Sequence, residues 1–364
     1  MKKILFFTGA GVSKESGIET FRDSVDSLWN NHKIEDVATL DAWRKNRELV
    51  LDFYNARRAQ LLSVLPNIAH KIIANLEKDF EKLNAIASKT SIPFLTISSG
   101  IYQNAGANIV QQLAYTLAHI NEYFNRIPAI NQPISVEISV GTNYFFEIAK
   151  LRAFRILINT LASAYDHNLE CHIIATPTKR NKTVYDYKVN MLRTTTECMS
   201  AILGGADAIN NLPYDAIYHK DNEFGDRIAR NQLLILKHES HFDKVNNPAD
   251  GSYYIESLTQ QLAEKALALF HDIEAQGGFL KQLNEGIIKR KIQESADKEQ
   301  ELFDAGKEIL LGTNKHPNTN DRMKDDLELF PFVKIKPRKT LITPLIESRL
   351  AEKIEQERLK AENN

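Results

Sequence analysis

The sequence predicts an α/β chain whose larger part is a parallel sheet, and three observations support this prediction. From about residue 91 onward, four short apolar segments appear at intervals of 35 to 40 residues, roughly the length of one strand–helix unit. Each of them precedes a segment of helical periodicity, which is the order found in a parallel sheet with crossover helices. A separate strand, glycine loop and helix pattern opens the chain. This alternation alone leaves open whether the sheet is open or closed.

The first 80 residues are predicted to contain one strand followed mostly by helices. Ile4 to Phe7 form a short apolar run of the kind that a buried parallel strand needs, and a Gly-Ala-Gly loop follows it. A polar, mostly helical stretch covers about residues 40–62. Pro66 and Asn67 end this stretch, and an amphipathic helix is predicted over about residues 68–80.

The larger part supplies the strand–helix units. The predicted strands are 94–98, 134–140, 171–176 and 207–212. The predicted helices after them are 107–125, 144–165, 184–203 and 227–239, and a further long helix covers 255–275. Beyond Gly312 follows a tail rich in Pro, Asn and Lys, with a charged helix over 346–361. The tail is typical either of a segment that wraps around a partner or of a frayed terminus, and the sequence leaves both alternatives open.

Composition excludes several classes of function. The 46 basic residues nearly balance the 47 acidic ones, so charge predicts neither nucleic-acid binding nor attachment to an anionic membrane. The longest apolar runs fall far short of the roughly 20 residues that a membrane span needs. Because Gly9 and Lys14 interrupt the first apolar run too early for a signal peptide, we expect a cytoplasmic protein. Two cysteines cannot form a four-cysteine zinc site.

The N-terminal glycine loop belongs to a longer motif. Thr8 to Ser13 read TGAGVS, residues 16–18 read SGI, and residues 21–23 read FRD. Glycines directly after a strand allow the backbone to approach a pyrophosphate closely. The motif resembles the NAD-binding opening of the sirtuin deacylases. The resemblance implies dinucleotide contacts from four residues and a place beside the nicotinamide ribose for two others. These are Gly9, Ala10, Gly11 and Ser13, and then Phe21 and Arg22.

A second sirtuin feature lies on the predicted helix after residue 40. Tyr54 and Arg57 are three residues apart and therefore project from one helix face. In bacterial sirtuins that remove acidic acyl groups, a Tyr-x-x-Arg pair meets the acyl carboxylate, which a guanidinium can hold through two hydrogen bonds. Without the neighbouring motifs, the same pair would more often form an exposed helix face.

The resemblance to sirtuins stops near residue 80. The catalytic histidine segment, the two C-x-x-C zinc pairs and the later ribose-binding motifs have no counterpart in this sequence. Sirtuin chemistry needs a general base, and no histidine here has the family context. We therefore predict that residues 1–80 are an NAD-binding fragment without complete deacylase activity.

Residues 91–364 carry strings of a different family. They include YQNAGA from Tyr102, QLAYTLA from Gln112, GTNYFFEIAKLRA from Gly141 and NPADGSYY from Asn247. These strings are long, ordered and spread over about three quarters of the chain. They resemble the methylmalonyl-CoA mutases, and especially their small, non-catalytic subunit.

The sequence departs from catalytic mutase subunits at five positions. Gly100 and Ile101 stand where a Tyr-His pair faces cobalamin, and Tyr185 replaces a glutamine. Leu212 and Ala216 replace an asparagine and a glutamate that touch the adenosyl group of the cofactor. The D-x-H-x-x-G loop that ligates cobalt is also missing from this sequence. By this resemblance we predict that the chain has no catalytic residues of its own and holds no metal.

The resemblance implies a partial (β/α)8 barrel of the TIM type, made of its later βα units, with a C-terminal helical tail and a preceding Rossmann-like fragment. We predict three domains: a sirtuin-like fragment (1–80), a partial barrel (91–312) and a tail (313–364). The implied function is that of a structural partner, in a heterodimer with a catalytic large subunit that binds adenosylcobalamin. The alternative is an NAD-dependent deacylase fragment. We also expect open sheet edges and exposed apolar helix faces.

The junction between the two families permits another interpretation of the chain. The change falls inside a predicted helical region that has no Gly-, Ser- or Pro-rich linker. Natural fusions usually join complete domains through flexible boundaries. An alternative origin is therefore a junction that is not biological, produced by a gene-model or assembly fusion, or a decaying deletion product.

Overall fold

A computed structural model describes residues 36, 39–61, 95–127, 133–165, 170–333, 340 and 342–362. The chain divides into two compact units, Met1–Ile86 and Ala87–Asn364. Among the described residues, none of the helices combines the length and the hydropathy that a membrane crossing requires.

Over residues 40–61, the described part of the first unit contains two helices where the sequence predicts one mostly helical stretch. Helix α1 covers Leu40–Lys45, and helix α2 covers Arg47–Leu61. Asn46 ends α1 with a non-helical backbone, and its side chain accepts a hydrogen bond from the backbone N–H of Leu49 at 3.1 Å. Asn46 therefore caps the second helix, since a short polar side chain satisfies an N–H group that has no helical partner.

The second unit begins with four strand–helix units. The strands are β1 (Thr96–Ser98), β2 (Ile134–Val140), β3 (Cys171–Pro177) and β4 (Ala208–Ile209). The helices are α3 (Gly100–Gln103), α4 (Ile109–Arg126), α5 (Tyr144–Ala164), α6 (Val189–Leu203) and α7 (Glu223–His238). All three strand pairs are parallel, and the strand order is β1-β2-β3-β4. The predicted parallel α/β fold is confirmed.

The two faces of this sheet differ in character. Ile134, Val136 and Ile138 of β2 are almost wholly buried and, at alternate positions, share one face of the sheet. Consecutive helices from α4 to α7 contact one another in chain order, as expected for a single layer. The alternate positions on β2, such as Ser135 and Glu137, are polar and only half-buried. The second face of the sheet is therefore mainly polar.

Four more helices follow the sheet. Helix α8 (Tyr253–Ala275) packs across α4 and α5, and helix α9 (Gly278–Asn284) contacts α4 and α8. Helix α10 (Ile287–Asp304) packs on α9, and α11 (Glu352–Glu362) is the last helix. The sequence analysis did not predict α9 or α10. The predicted terminal helix starts six residues too early, because residues 346–351 are not helical but bind to loops of the second unit.

Candidate functional site

The candidate site is the edge of the sheet at which the four parallel strands end, because α/β folds bind their ligands there. Gly100 and Ile101 begin α3 directly after β1. Tyr185 lies between β3 and α6, and Leu212 and Ala216 lie between β4 and α7. The structure therefore places all five departures from the catalytic pattern at this edge.

Four of these five positions have no polar side-chain group. Leu212 and Ala216 are half-buried, and Ile101 is 41% exposed. A β carbon added to Gly100 would lie 2.7 Å from the Ser139 hydroxyl oxygen, so a larger side chain requires Ser139 to move. These positions offer neither a proton donor nor a metal ligand.

The fifth position, Tyr185, is buried beneath the C-terminal helix. The centre of its ring lies 3.9 Å from the guanidinium carbon of Arg358, which is a close cation–π contact. Tyr185 also belongs to a buried cluster with Val184, Tyr218 and Met323. Burial raises the pKa of the Tyr185 phenol, so this group stays protonated at neutral pH. Tyr185 therefore packs against the tail of its own chain.

Backbone hydrogen bonds connect the tail to three of the four loops that follow the strands. The bonded pairs, donor first, are Ser348–Asn104 at 3.0 Å, Leu350–Arg180 at 3.0 Å and Leu329–Tyr218 at 2.8 Å. Asn104 follows β1, Arg180 follows β3 and Tyr218 follows β4. The sequence left open whether the tail wraps around a partner or frays. In the structure the described part of the tail is not frayed, since it binds the strand-end loops of its own chain.

A buried ion pair fixes the tail to the loop after β3. Arg349 and Glu355 are 2.7 Å apart, and both side chains are more than nine-tenths buried. Arg349 also donates to the carbonyl oxygen of Lys182 at 2.9 Å, and the Val184 N–H donates to Glu355 at 2.7 Å. Burial raises the pKa of Glu355, although Arg349 and Val184 favour its ionised form. The sequence analysis missed this anchor, because a pair six residues apart has no periodic signature.

Removal of this anchor should loosen the tail. We expect Arg349→Met to lower the free energy of unfolding by about 3 kcal/mol, because it leaves the Glu355 carboxylate buried without its cation. Chymotrypsin should then cleave the variant faster at Phe330 or Phe332 in the tail. Arg290→Met is the matched control. The Arg290 side chain is two-thirds exposed, and its ion pair with Glu294 is long, at 3.8 Å. Equal cleavage rates for the two variants would contradict the anchor.

Buried charges also lie beneath the loops. Lys182 and Glu197 are 2.7 Å apart, and Asn181 donates to Glu197 at 2.6 Å. Burial lowers the pKa of Lys182 and raises that of Glu197, and each group offsets the effect on the other. A second buried pair joins Lys150 to Glu147 at 2.5 Å. Because these charges are fully paired, we regard them as structural rather than catalytic.

The predicted sirtuin-type residues can be placed only in part. Tyr54 lies on α2, is 40% exposed and has its ring 5.4 Å from that of Phe53. The side chain of Arg57 lies outside the described residues. The predicted dinucleotide contacts also lie outside them, namely Gly9, Ala10, Gly11, Ser13, Phe21 and Arg22. Within the described ranges, no group of three or more His, Cys, Asp or Glu residues is arranged to hold a metal ion.

Comparisons with known proteins match the two parts of the chain to two families. Residues 62–357 match the family model of methylmalonyl-CoA mutase, and residues 9–111 match that of the Sir2 family. The chain is 39% identical over 247 residues to the methylmalonyl-CoA mutase small subunit of Porphyromonas gingivalis, which covers 65% of this chain and 40% of that protein.

Further relatives extend this similarity. The methylmalonyl-CoA mutase of Rhizobium meliloti is 35% identical over 275 residues, which is 72% of this chain and 37% of that protein. The large subunit of Streptomyces virginiae is 31% identical over 246 residues, which is 65% of this chain and 34% of that protein. The chain thus spans about 40% or less of the length of the curated relatives it matches.

Proposed function

Because the chain belongs to the methylmalonyl-CoA mutase family, we propose that it acts as a non-catalytic structural partner of a cobalamin-dependent catalytic large subunit. One observation carries the proposal: the chain's own tail binds the loops at the strand ends, where a barrel enzyme holds its substrate. Loops that are hydrogen-bonded to the tail are held rigidly, and they are poorly suited to admit a ligand.

The relatives support a small-subunit role. Identity is 39% to a mutase small subunit and 31% to a mutase large subunit over segments of nearly equal length. The heterodimeric assembly remains part of the proposal, since this chain spans less than half of either relative.

The residues present do not fit adenosylcobalamin. By the family resemblance, an asparagine and a glutamate contact the adenosyl group, and Leu212 and Ala216 can donate or accept no hydrogen bonds through their side chains. Tyr185, at the position of the family's glutamine, lies beneath Arg358. Gly100, at the position of the family's tyrosine, has no room for that side chain without movement of Ser139, and Ile101 stands in place of the histidine. We therefore assign cofactor binding to the partner subunit and derive no catalytic step for this chain.

A mutase large subunit should form a complex with this chain. We expect the two purified proteins to elute together from a size-exclusion column at micromolar concentrations. The mass of the complex should correspond to one copy of this chain per large subunit. Absence of any complex at these concentrations would refute the proposed partnership.

A second proposal concerns the N-terminal unit and is supported by the Sir2 match over residues 9–111. We propose that Gly9, Ala10, Gly11 and Ser13 bind NAD weakly, without deacylase turnover. Calorimetric titration with NAD should give a binding isotherm that Gly11→Ala abolishes, because a β carbon would block the approach of the pyrophosphate. No heat at millimolar NAD would end this proposal.

A further inference from the structure

A cavity of about 330 Å³ lies between helix α11 and the segment that follows α10. Its volume is at the lower end of the range that small-molecule sites occupy. Its walls come from residues 312–322, from α11 and from Tyr185. Among the described lining residues, Tyr185 alone lies in a loop that follows a strand. Filling the cavity therefore does not require the strand-end loops to part from the tail.

Positive charge predominates among the described residues that line this cavity. Arg322 and Arg358 contribute two guanidinium groups, and Glu355 contributes the one carboxylate. That carboxylate is already engaged, because Arg349 lies 2.7 Å from it and the Val184 N–H donates to it at 2.7 Å. The lining itself therefore leaves both guanidinium charges without a counter-charge inside the cavity.

Arg358 keeps donor groups available for a ligand. Its Nη2 donates to the carbonyl oxygens of Asn318 at 2.5 Å and Asp321 at 2.7 Å. The face of the guanidinium rests on the ring of Tyr185, so its remaining nitrogens lie at the edge of that contact. Within the described ranges, Nε and Nη1 have no hydrogen-bond partner. These two nitrogens can donate to an acceptor in the cavity.

Arg322 is the second available cation. It forms no hydrogen bond and no close ion pair with any residue that the structure describes, and its side chain is half-buried. At longer range it interacts electrostatically with Glu362. The Glu362 carboxylate accepts the backbone N–H groups of Met323 and Lys324, each at 3.0 Å. Arg322 therefore has all of its N–H donors available.

A buried hydroxyl gives independent evidence that an acceptor belongs in the cavity. Thr313 lines the cavity, and its side chain is more than nine-tenths buried. Its Oγ1 has no hydrogen-bond partner among the described residues. An unpaired buried hydroxyl destabilises a fold, so such groups normally have a partner. A ligand oxygen inside the cavity would supply that partner.

We propose that this cavity binds the phosphate group of a small organic phosphate monoester. Guanidinium groups present N–H donors in a planar arrangement that matches phosphate oxygens, and the Thr313 hydroxyl adds one more donor. The cavity is larger than a single phosphate ion. Pro317 and Ile354 form an apolar part of its wall, against which the organic group of the ester can lie.

A bound phosphate would connect the two halves of the tail. Arg358 lies on helix α11, whereas Thr313 and Arg322 belong to the segment after α10. Ligand binding would therefore stabilise the closed arrangement of the tail, in addition to the anchor formed by Arg349 and Glu355. This site goes beyond the proposed partnership with a large subunit and can be measured without that subunit.

Calorimetric titration of the full chain tests the site, with glycerol 3-phosphate and inorganic phosphate as the two probes and sodium chloride to keep the ionic strength constant. We expect one ligand per chain and tighter binding of the ester. Arg322→Met should weaken binding about tenfold or more, because a charge-assisted hydrogen bond is lost. Arg290→Met is the control and should bind as the wild type does, since Arg290 is exposed on α10.

Thr313→Val provides a second variant that separates binding from folding. It removes the hydroxyl and keeps the shape of the side chain. Because this hydroxyl is unpaired without a ligand, the variant should unfold at the wild-type temperature or above it, yet bind the ester about fivefold more weakly.

Three results would overturn the phosphate site. The first is the absence of heat with both probes at millimolar concentrations. The second is wild-type affinity in both Arg322→Met and Thr313→Val, which would assign the phosphate to another part of the chain, such as the N-terminal glycine loop. The third is binding of inorganic phosphate that equals or exceeds binding of the ester, which would contradict a monoester as the ligand.

Discussion

Replacement of Glu197 by leucine is expected to lower the free energy of unfolding by about 3–5 kcal/mol, which is a large part of the stability of an ordinary domain. The substitution leaves Lys182 fully buried without its carboxylate, and Asn181 loses the acceptor of its amide. Urea denaturation followed by circular dichroism measures the effect. Circular dichroism is preferable to tryptophan fluorescence, because both tryptophans, Trp29 and Trp43, lie in the first unit.

The double variant Lys182→Met/Glu197→Leu removes both charges. Its comparison with Glu197→Leu separates the cost of losing the ion pair from the cost of leaving one charge buried without a partner. Removal of both charges eliminates the unpaired ammonium, so we expect the double variant to be more stable than Glu197→Leu. An unmatched amide on Asn181 should still cost about 1 kcal/mol. If the double variant were no more stable than Glu197→Leu, the unpaired Lys182 ammonium would carry no penalty and our description of the pair would be wrong.

Replacement of Gly106 by alanine is expected to have the second largest effect, a loss of about 3 kcal/mol. Gly106 has a φ of +100°, a backbone conformation that residues with a side chain rarely adopt. The β carbon of the new alanine would also lie 2.9 Å from the backbone Cα of Ala296 on α10. A backbone atom cannot rotate out of such a contact as a side chain can. Helix α10 would therefore have to move away from the loop that precedes α4. Thermal unfolding followed by circular dichroism would measure the loss.

Gly205→Ala provides the control for backbone strain alone. Gly205 has a φ of +82°, and no atom lies within 4 Å of the position of its β carbon. Its substitution should therefore cost only about 1–2 kcal/mol. Equal losses for Gly106→Ala and Gly205→Ala would show that α10 does not pack on this loop.

The strand–helix units could be predicted because their patterns are local. The bounds of β2 agree with the prediction, since apolar residues at 134, 136 and 138 alternate with half-buried polar ones. Helix α6 begins at Val189 rather than near 184, because the residues before it form a turn in which Asp186 has a φ of +49°. Local periodicity does not reveal such a turn.

Helix α10 shows a signal that was present and overlooked. Its buried Ile288, Ile292 and Ala296 are spaced four residues apart, the spacing of one helix face. The pattern is weak because the rest of the helix is densely charged. Helix α9 was missed because Gly277 and Gly278 indicate an end, although here they form the tight turn between two helices, both with positive φ.

The sequence allowed the position of the candidate site to be inferred, but not whether the tail binds the loops of that site. The family resemblance identifies Gly100, Tyr185 and Leu212 as departures from the catalytic pattern, and the structure places all three in segments that follow strands. The attachment of the tail depends on contacts between residues more than 100 positions apart, such as Arg349 with Lys182. Contacts of this kind leave no pattern in the sequence, so whether the tail was free or bound could not be decided before the structure.

The most direct test of the central claim is an assay of the chain alone with adenosylcobalamin and methylmalonyl-CoA, followed by the formation of succinyl-CoA. We expect no turnover and no change in the absorption spectrum of the cofactor, with turnover appearing only when a catalytic large subunit is added. Cobalamin-dependent turnover by the chain alone would contradict the assignment of a structural role.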